Sequence, residues 1–257
     1  MKILVTGSNG YIGKSIITYL SDDYKIVPIS REIIDLSNTE KVDNFFKDNI
    51  FDVVIHCAFV GGNRLVEDKD CVYEQNIKMF NNLYKNKNRF SKLIYFGSGI
   101  ELTECDKPYC ESKKIIRKKI LKTDGFFNIR VFAVFDENEL DRRFIKSCLN
   151  TVLKNKPILI DKNKLMDFFY MGDLIKLIKF YIKNQTPPKE IDCSYIKKYT
   201  LLDIANIIND ITGKKNIKII KDEMDKSYVG NGLFLKDLSL DLIGLKEGII
   251  RTYKKML

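Results

Sequence analysis

Apolar and polar positions along the first 135 residues predict strands that alternate with helices. Short apolar runs are typical of buried strands in KILVTG, YKIVPIS, FDVVIHCA, KLIYFG and NIRVFAVF. The segments between them carry apolar residues at helical spacing, the first with Tyr11, Ile16 and Leu20 on one side. Fully apolar strands joined by amphipathic helices are typical of a parallel sheet covered on both faces. The pattern therefore predicts an α/β fold built on a doubly wound parallel sheet.

The pattern loosens after residue 135, which predicts a second and smaller region. Apolar runs continue in KPILI and MDFFYMGDLIKLIKFYI, and further helices are expected near 139–153, 201–211 and 247–256. We predict one domain over residues 1–153 and a smaller region over 154–257. About residues 166–195 of that region should return to the main sheet.

Composition narrows the class of protein. The chain has 257 residues, of which 45% are hydrophobic and 30% charged, as in ordinary globular proteins. No apolar run approaches the roughly 18 residues that span a bilayer, and the opening MKILVTGSNG lacks the pattern of a signal peptide, so we expect a cytoplasmic protein. The net charge of +10 comes from dispersed lysines without an arginine-rich block. We interpret it as compositional bias that favours an anionic small substrate rather than nucleic acid.

The cysteines do not predict a metal centre. The six cysteines include no C-x-x-C pair, and His56 is the only histidine in the sequence. A zinc site needs clustered thiolates and imidazoles, so we predict no metal site. We expect reduced and mostly buried thiols.

A glycine-rich segment, TGSNGYIG, lies between the first predicted strand and the first predicted helix. Gly7, Gly10 and Gly13 have the spacing G-x-x-G-x-x-G. Gly7 would permit the tight turn, Gly10 the approach of a pyrophosphate to backbone N–H groups, and Gly13 close packing of helix on strand. The placement predicts a dinucleotide site in the first domain.

The end of the second strand bears on which dinucleotide binds. An acidic residue at this position usually holds the ribose of NAD, whereas Ser30 and Arg31 here suit the additional phosphate of NADP. Glu32 keeps the alternative open, in which Arg31 is simply solvated. We predict NADP (NADPH) over NAD, with Asp35 and Leu36 beside the adenine.

Ser98, Tyr109 and Lys113 are candidate catalytic residues. Ser98 ends the KLIYFG strand, where such sheets bind ligands. Pro108 suits the first turn of a helix with Asp106 as its cap, which would place Tyr109 and Lys113 on one helical face. A carbonyl that accepts hydride needs a proton on its oxygen. Tyr109 would supply it, with Lys113 favouring the ionised tyrosine and the Ser98 hydroxyl binding the oxygen.

Motifs across most of the chain resemble those of the extended short-chain dehydrogenase/reductase superfamily, in its nucleotide-sugar epimerase, dehydratase and reductase group. TGSNGYIG matches TGxxGxxG, and HCAFVGG resembles the H-x-A-A segment that lines the cofactor. Asn76 falls where the family's helix carries an asparagine, and Val60 to Gly62 are similar to a loop of GDP-fucose synthases. MDFFYMGDL resembles the R-D-F-x-x-V-x-D-L segment.

The resemblance implies a Rossmann fold with a small C-terminal cap that binds a nucleotide-diphosphate sugar. The cofactor-binding set would be Gly7, Asn9, Gly10, Tyr11, Ile12, Gly13, Ser30, Arg31, Asp35, Leu36, Cys57, Ala58, Phe59, Asn76, Tyr109, Lys113 and Phe132. The substrate-binding set would be Gly61, Gly62, Ser98, Gly99, Arg143 and Lys164. A homodimer through the helices near 70–87 and 109–122 is also implied.

Departures from the family's motifs narrow the reaction. The dehydratases follow the catalytic Ser or Thr with an Asp-Glu pair, but Gly99 and Ile100 follow Ser98 here. The same positions lack the cysteine of fucose-synthase-type epimerases, and Met166 stands where an arginine often binds the diphosphate. The sequence thus favours an NADPH-dependent reductase of a 4-keto-6-deoxyhexose type of nucleotide sugar. A 4-epimerase and a non-catalytic NADP-sensing protein remain as alternatives.

Overall fold

The computed structural model describes residues 1–62, 66–214 and 217–257. The described strands are β1 Lys2–Thr6, β2 Lys25–Ile29, β3 Phe51–His56, β4 Phe90–Ser98, β5 Phe126–Val131, β6 Val134–Phe135, β7 Ile158–Asn163, β8 Phe169–Tyr170, β9 Glu190–Cys193 and β10 Ile217–Met224. The described α-helices are α1 Tyr11–Leu20, α2 Thr39–Lys47, α3 Cys71–Lys85, α4 Pro108–Leu121, α5 Phe144–Leu153, α6 Met171–Lys183, α7 Leu201–Thr212, α8 Leu233–Asp237 and α9 Leu245–Met256. Short 3₁₀ helices cover Lys87–Arg89 and Gly99–Leu102.

A six-stranded sheet with the order β2-β1-β3-β4-β5-β9 forms the centre of the fold. Strands β1, β2, β3 and β4 pair in parallel, as their continuous apolar sequences predict. The strand order reverses between β1 and β3, because β2 lies on one side of β1 and β3 on the other. Ligands of such sheets bind beyond the carboxyl ends of the strands at this reversal. The predicted doubly wound Rossmann sheet is confirmed.

Two compact units divide the chain. The first consists of Met1–Arg130 and Phe180–Ile191, and the second of Val131–Lys179 and Asp192–Leu257. The segment Phe180–Ile191, which belongs to the first unit, lies within the range 166–195 that was predicted to return to the main sheet. The predicted boundary after residue 153 differs from this division, which assigns residues 131–153 to the second unit.

Each unit has its own apolar core. In the first, buried residues of the strands pack against α2, α3 and α4, among them Phe46, Phe80 and Tyr95. In the second, α5, α7 and α9 pack together around buried residues such as Ile204 and Ile249. The strand pairs β6-β8 and β7-β10 belong to this second unit. Burial of these side chains is the main stabilising contribution in both units.

Helix α5 begins later than the apolar pattern predicts. The expected helix near 139–153 starts at Phe144, because the preceding residues form a turn in which the Asp136 carboxylate accepts a hydrogen bond from Asn138 N at 2.8 Å. An Asx turn of this kind competes with helical backbone bonding. The sequence pattern also missed β10 and α8, which are rich in charged residues or short, and it predicted the return of 166–195 to the sheet without identifying β9 as its strand.

The expectation of reduced, mostly buried thiols is wrong for one pair of cysteines. Cys105 and Cys110 form a disulfide whose Cα atoms lie 5.9 Å apart, because the turn before α4 brings Cys105 beside the helix's first turn. Cys148 and Cys193 are buried and free, whereas Cys71 is exposed. In the part of the chain that the structure describes, no helix is long and apolar enough to cross a membrane.

Candidate active site

The glycine-rich loop after β1 is shaped as its spacing predicts. Gly7 has a φ of +67°, and a Cβ there would lie 2.7 Å from Ala58 N in the segment after β3. A Cβ on Gly13 would lie 2.3 Å from the Gly7 carbonyl oxygen, so α1 packs directly on the loop. Gly10 is the N-cap of α1, and no side chain caps this end and no acid lies in its first turn. Uncapped N–H groups at a positive helix end form a cradle for a phosphate.

The Glu32 carboxylate, just after the end of β2, is fixed by hydrogen bonds, and the sequence left its role open. Glu32 Oε2 accepts hydrogen bonds from Asn9 Nδ2 at 3.0 Å and from Ser30 Oγ at 3.2 Å. The Arg31 side chain is 71% exposed, and its Nε lies 3.6 Å from an Asp35 carboxylate oxygen. Both an acidic and a basic group therefore stand at the predicted position of the adenosine ribose.

Lys113 is buried beneath a set of aromatic rings. Its Nζ donates a hydrogen bond to the Phe96 carbonyl at 2.7 Å. The same atom lies 4.4 Å from the centre of the Tyr95 ring, 5.1 Å from that of Phe59 and 5.6 Å from that of Tyr109. Cation–π attraction at such distances stabilises a lysine removed from water. The predicted neighbourhood of Tyr109 and Lys113 on α4 is thus present.

Burial and neighbouring charges act in opposite directions on Lys113. Removal from water lowers its pKa, while the negative charge of Glu101 raises it, and the result is a pKa of about 8. Burial also raises the pKa of the Cys57 thiol, so this thiol stays protonated. His56 is buried with its pKa lowered to about 3, mainly by burial, and its Nδ1 shares a 2.7 Å hydrogen bond with Thr6 Oγ1. The neutral His56 therefore joins β1 to β3 below the glycine loop.

The segment after β3 forms a wall against the tyrosine. Gly62 has a φ of +71°, and a Cβ there would lie 2.8 Å from ring atoms of Tyr109. The Phe59 ring lies 5.9 Å from the Tyr109 ring. Asn76 fixes the same segment, since its amide exchanges hydrogen bonds with Val60 N and O at 2.9 and 3.0 Å. Asn76 Nδ2 also reaches Ser112 Oγ at 3.1 Å, which connects the wall to α4.

The start of α4 differs in one detail from the prediction. Pro108 occupies the first turn as expected, but the N-cap is Lys107, and no side chain caps the helix. The assignment of Asp106 as the cap is therefore wrong. Lys107 has the extended backbone that a residue before proline adopts, which leaves Asp106 one position too early to be the N-cap.

Ser98 ends β4 and begins the 3₁₀ helix Gly99–Leu102. Its side chain accepts a hydrogen bond from Ile100 N at 3.4 Å, and the Glu101 side chain accepts one from Ser98 N at 3.0 Å. This reciprocal pair is a capping box, which the pattern Ser98-x-x-Glu101 could have indicated in the sequence. The sequence motifs did not single out Glu101, because the family's dehydratase acids directly follow the serine.

The predicted residues of the second unit have varied surroundings. Lys164 Nζ lies 3.1 Å from an Asp225 carboxylate oxygen, and Arg143 is the exposed N-cap of α5. Phe132 is buried with its ring 5.1 Å from that of Tyr228. All three predicted residues lie in the second unit.

The segment MDFFYMGDL organises that unit through its two aspartates. Asp167 accepts hydrogen bonds from Ser194 Oγ and Gly230 N, both at 2.7 Å. Asp173 accepts bonds from Tyr195 Oη at 2.6 Å and from Gly244 N at 2.9 Å, at the start of α9. Both carboxylates are buried, so the motif's aspartates hold the local fold together.

Residues 3–193 match the model of the NAD dependent epimerase/dehydratase family. The chain belongs to this family. The resemblance inferred from TGSNGYIG, HCAFVGG, Asn76 and MDFFYMGDL is thereby confirmed.

Individual known proteins resemble the chain over nearly its whole length. A GDP-L-colitose synthase from Yersinia pseudotuberculosis is 24% identical over 297 aligned positions, which cover 98% of this chain and 96% of that protein. A GDP-mannoheptose C4 reductase from Campylobacter jejuni, solved with NADP bound, has a TM-score of 0.83 at 16% identity, covering 99% of this chain and 98% of that one. A UDP-glucose 4-epimerase from Thermus thermophilus, solved with NAD, has a TM-score of 0.78 at 18% identity, covering 99% and 98%. The two structures share the fold of this chain.

Proposed function

We propose that this protein is an NADPH-dependent reductase of a nucleotide-activated keto sugar, of the 4-keto-6-deoxyhexose type. The observation that carries the proposal is the buried Lys113 ammonium beneath the ring of Tyr109, on a sheet whose first loop can hold a dinucleotide. Two of the similar proteins, by their names, are a GDP-sugar synthase and a GDP-sugar C4 reductase. Both names fit a carbonyl reduction on a nucleotide sugar.

The residues present fit a nicotinamide dinucleotide. The glycine loop leaves no room for a Cβ at Gly7 or Gly13, and the uncapped start of α1 offers N–H groups to a pyrophosphate. Cys57, Ala58 and Phe59 would line the cofactor. Tyr11 and Ile12, the first two residues of α1, would lie beside its pyrophosphate. When bound, the reduced cofactor supplies a hydride to the substrate carbonyl carbon.

Tyr109 supplies the proton in the proposed reaction. As negative charge develops on the carbonyl oxygen, the Tyr109 hydroxyl donates its proton to that oxygen, which completes an alcohol. The Lys113 cation stabilises the resulting tyrosinate until solvent returns a proton. The Ser98 hydroxyl donates a hydrogen bond to the same oxygen and fixes its position.

The residues after Ser98 favour plain reduction over elimination of water. Gly99 and Ile100 carry no acid or thiol, and they occupy the positions of the dehydratase acids and the epimerase cysteine. Glu101 is the nearest acid along the chain, but its two carboxylate oxygens accept hydrogen bonds from Ser98 N and Asn128 Nδ2. An acid held in this way is not available to protonate a leaving hydroxyl. Arg143 and Lys164 are proposed to attract the substrate diphosphate.

A 4-epimerase is the second candidate, and Glu32 is the observation that favours it. A carboxylate at the exit of β2 accepts hydrogen bonds from a ribose 2′-hydroxyl and repels a 2′-phosphate, so a held Glu32 suits NAD. An epimerase oxidises and reduces the same carbon and returns its cofactor unchanged. Arg31 supports the opposite preference, for NADPH and net reduction.

Oxidation of NADPH across a panel of nucleoside-diphosphate 4-keto sugars tests the proposal. We expect a loss of absorbance at the nicotinamide band that depends on the sugar and on the enzyme. Binding of NADPH, seen as thermal stabilisation, without turnover of any keto sugar would contradict it. A purified protein that retains oxidised cofactor and interconverts two nucleotide sugars would instead support the epimerase.

A further inference from the structure

A fully buried carboxylate lies directly behind Ser98. The Glu101 side chain has 0% exposure, although most glutamates lie at the surface. A buried carboxylate is costly unless hydrogen bonds and positive charges compensate it. The contacts of Glu101 therefore indicate what the carboxylate stabilises.

The carboxylate joins the end of β4 to the neighbouring strand β5. One oxygen accepts the bond from Ser98 N at 3.0 Å, and the other accepts a bond from Asn128 Nδ2 at 2.8 Å. The guanidinium of Arg117 on α4 lies 3.9 Å from the second oxygen. The buried Glu101 side chain thus fixes the Ser98 backbone, and it is itself contacted by Asn128 of β5 and Arg117 of α4.

Gly97 provides the space for this arrangement. A Cβ on Gly97 would lie 2.4 Å from the Glu101 oxygen and 2.3 Å from Asn128 Oδ1. Both distances are shorter than any van der Waals contact, so no larger residue fits before Ser98. The sequence Gly97-Ser98-x-x-Glu101 accordingly acts as one unit that fixes the catalytic serine.

Glu101 also acts on the charge of Lys113. Both groups are buried and contact the same end of β4, since Lys113 Nζ donates to the Phe96 carbonyl at 2.7 Å and Glu101 accepts from Ser98 N at 3.0 Å. At this site the negative charge of Glu101 raises the pKa of Lys113 against the effect of burial. Burial raises the pKa of Glu101, and the Asn128 hydrogen bond and the charge of Lys113 limit this rise to a pKa of about 6. Each group therefore favours the charged form of the other.

We propose that Glu101 is a positioning residue for the reaction, which fixes the Ser98 backbone and supplies the counter-charge of the Lys113 ammonium. The inference rests on the proposed function, since it assigns Ser98 and Lys113 their roles there. A cap that only stabilised the 3₁₀ helix would affect folding but would not affect the pH dependence of turnover.

Two conservative variants separate the two contributions. Glu101→Gln keeps an oxygen that can accept the bond from Ser98 N but removes the charge. Without that charge the pKa of Lys113 falls, so the alkaline decrease in kcat/KM should begin about one pH unit lower, while kcat/KM at acidic pH should change less. Glu101→Asp keeps the charge but falls short of Ser98 N, so kcat should fall about tenfold to a hundredfold while the alkaline limb stays in place. Glu104→Gln, an exposed glutamate of the same segment, is the matched control and should change neither quantity.

A second measurement keeps this test separate from that of the proposed function. Hydrogen exchange of the Ser98 amide, followed by NMR in the folded variants, should quicken in Glu101→Asp and not in Glu104→Gln. Unchanged exchange in Glu101→Asp, or an alkaline limb in Glu101→Gln that matches that of the unmodified protein, would overturn the inference while turnover persists. A complete lack of keto-sugar turnover by the unmodified protein would instead refute the proposed function, and Ser98 exchange would still decide whether Glu101 holds the serine.

Discussion

Two buried lysines show how similar residues serve different purposes at the scale of single side chains. Lys92 Nζ donates hydrogen bonds to the carbonyls of Tyr181, Ile182 and Asn184, at the end of α6. Those bonds use all three donors of an ammonium group. Among the described residues, Lys113 instead donates a hydrogen bond to the Phe96 carbonyl and lies beside aromatic rings. This difference supports a catalytic role for Lys113 and a structural one for Lys92.

Replacement of Tyr109 by phenylalanine should remove the proton donor and keep the aromatic ring. We expect kcat for keto-sugar reduction to fall by about 10²–10⁴-fold, because the ring stays packed on Gly62 while the hydroxyl is lost. Steady-state kinetics measures the loss, and thermal stabilisation by NADPH should be retained. Tyr73→Phe, on the exposed side of α3, is the control and should have full activity. Full activity in Tyr109→Phe would exclude the proposed role.

The pH dependence should follow the charge of Lys113. Since its pKa is lowered to about 8, the ammonium is present below that pH and is lost as the pH rises through it. We expect kcat/KM to be constant below about pH 8 and to fall about tenfold per unit above it. Lys113→Arg keeps its charge at these pH values, so the kcat/KM that remains in this variant should no longer fall above pH 8. A flat profile of the unmodified enzyme across the alkaline range would contradict the assignment.

Cofactor choice should depend on the two opposed charges at the exit of β2. Glu32→Gln removes the charge that repels a 2′-phosphate, so the preference for NADPH over NADH should rise about tenfold, or about 1.4 kcal/mol. Arg31→Ala should lower the preference by a similar factor, because it removes the positive partner. The ratio of kcat/KM for the two cofactors measures both effects. An unchanged ratio in both variants would show that neither residue contacts the ribose.

The wall after β3 is the feature to test at the scale of an element. Gly62→Ala would place a Cβ 2.8 Å from the Tyr109 ring, on a backbone with φ +71°. Gly213→Ala has the same backbone strain, with φ +70°, but open space around the Cβ. Both should lose about 1–2 kcal/mol of stability, and only Gly62→Ala should lose activity, about a hundredfold through displacement of Tyr109. Equal activities would show that the wall does not position the tyrosine.

The elements themselves could be predicted where their residues are strongly patterned. The buried strands of the main sheet carry continuous apolar runs, and the glycine loop has spacing that only a few backbone conformations explain. Helix α5 was placed too early, because the Asp136 turn is a side-chain effect that apolar periodicity does not contain. The pairing of Cys105 with Cys110 depends on the turn before α4, and the capture of Glu32 by Asn9 depends on the approach of two loops. Contacts of that kind depend on how turns and loops approach each other, so the spacing of the residues along the sequence does not predict them.

At the scale of the whole molecule, the glycine loop lies in the first unit, and Arg143 and Lys164 lie in the second. The net charge of +10 is consistent with attraction of a nucleoside diphosphate to the enzyme as a whole. We expect this attraction to weaken as salt is added, because dissolved ions screen the charges of exposed lysines. The homodimer and the cytoplasmic location stay predictions of the sequence.

We propose above that the protein transfers hydride from NADPH to a keto sugar in a net reduction. NADPH deuterated at both C4 positions of the nicotinamide, incubated with the enzyme and a nucleoside-diphosphate 4-keto-6-deoxyhexose, tests it most directly. We expect mass spectrometry and NMR to find deuterium bonded to the former carbonyl carbon, with one oxidised cofactor per molecule of alcohol. A product free of deuterium, or interconversion of sugars without consumption of NADPH, would contradict it.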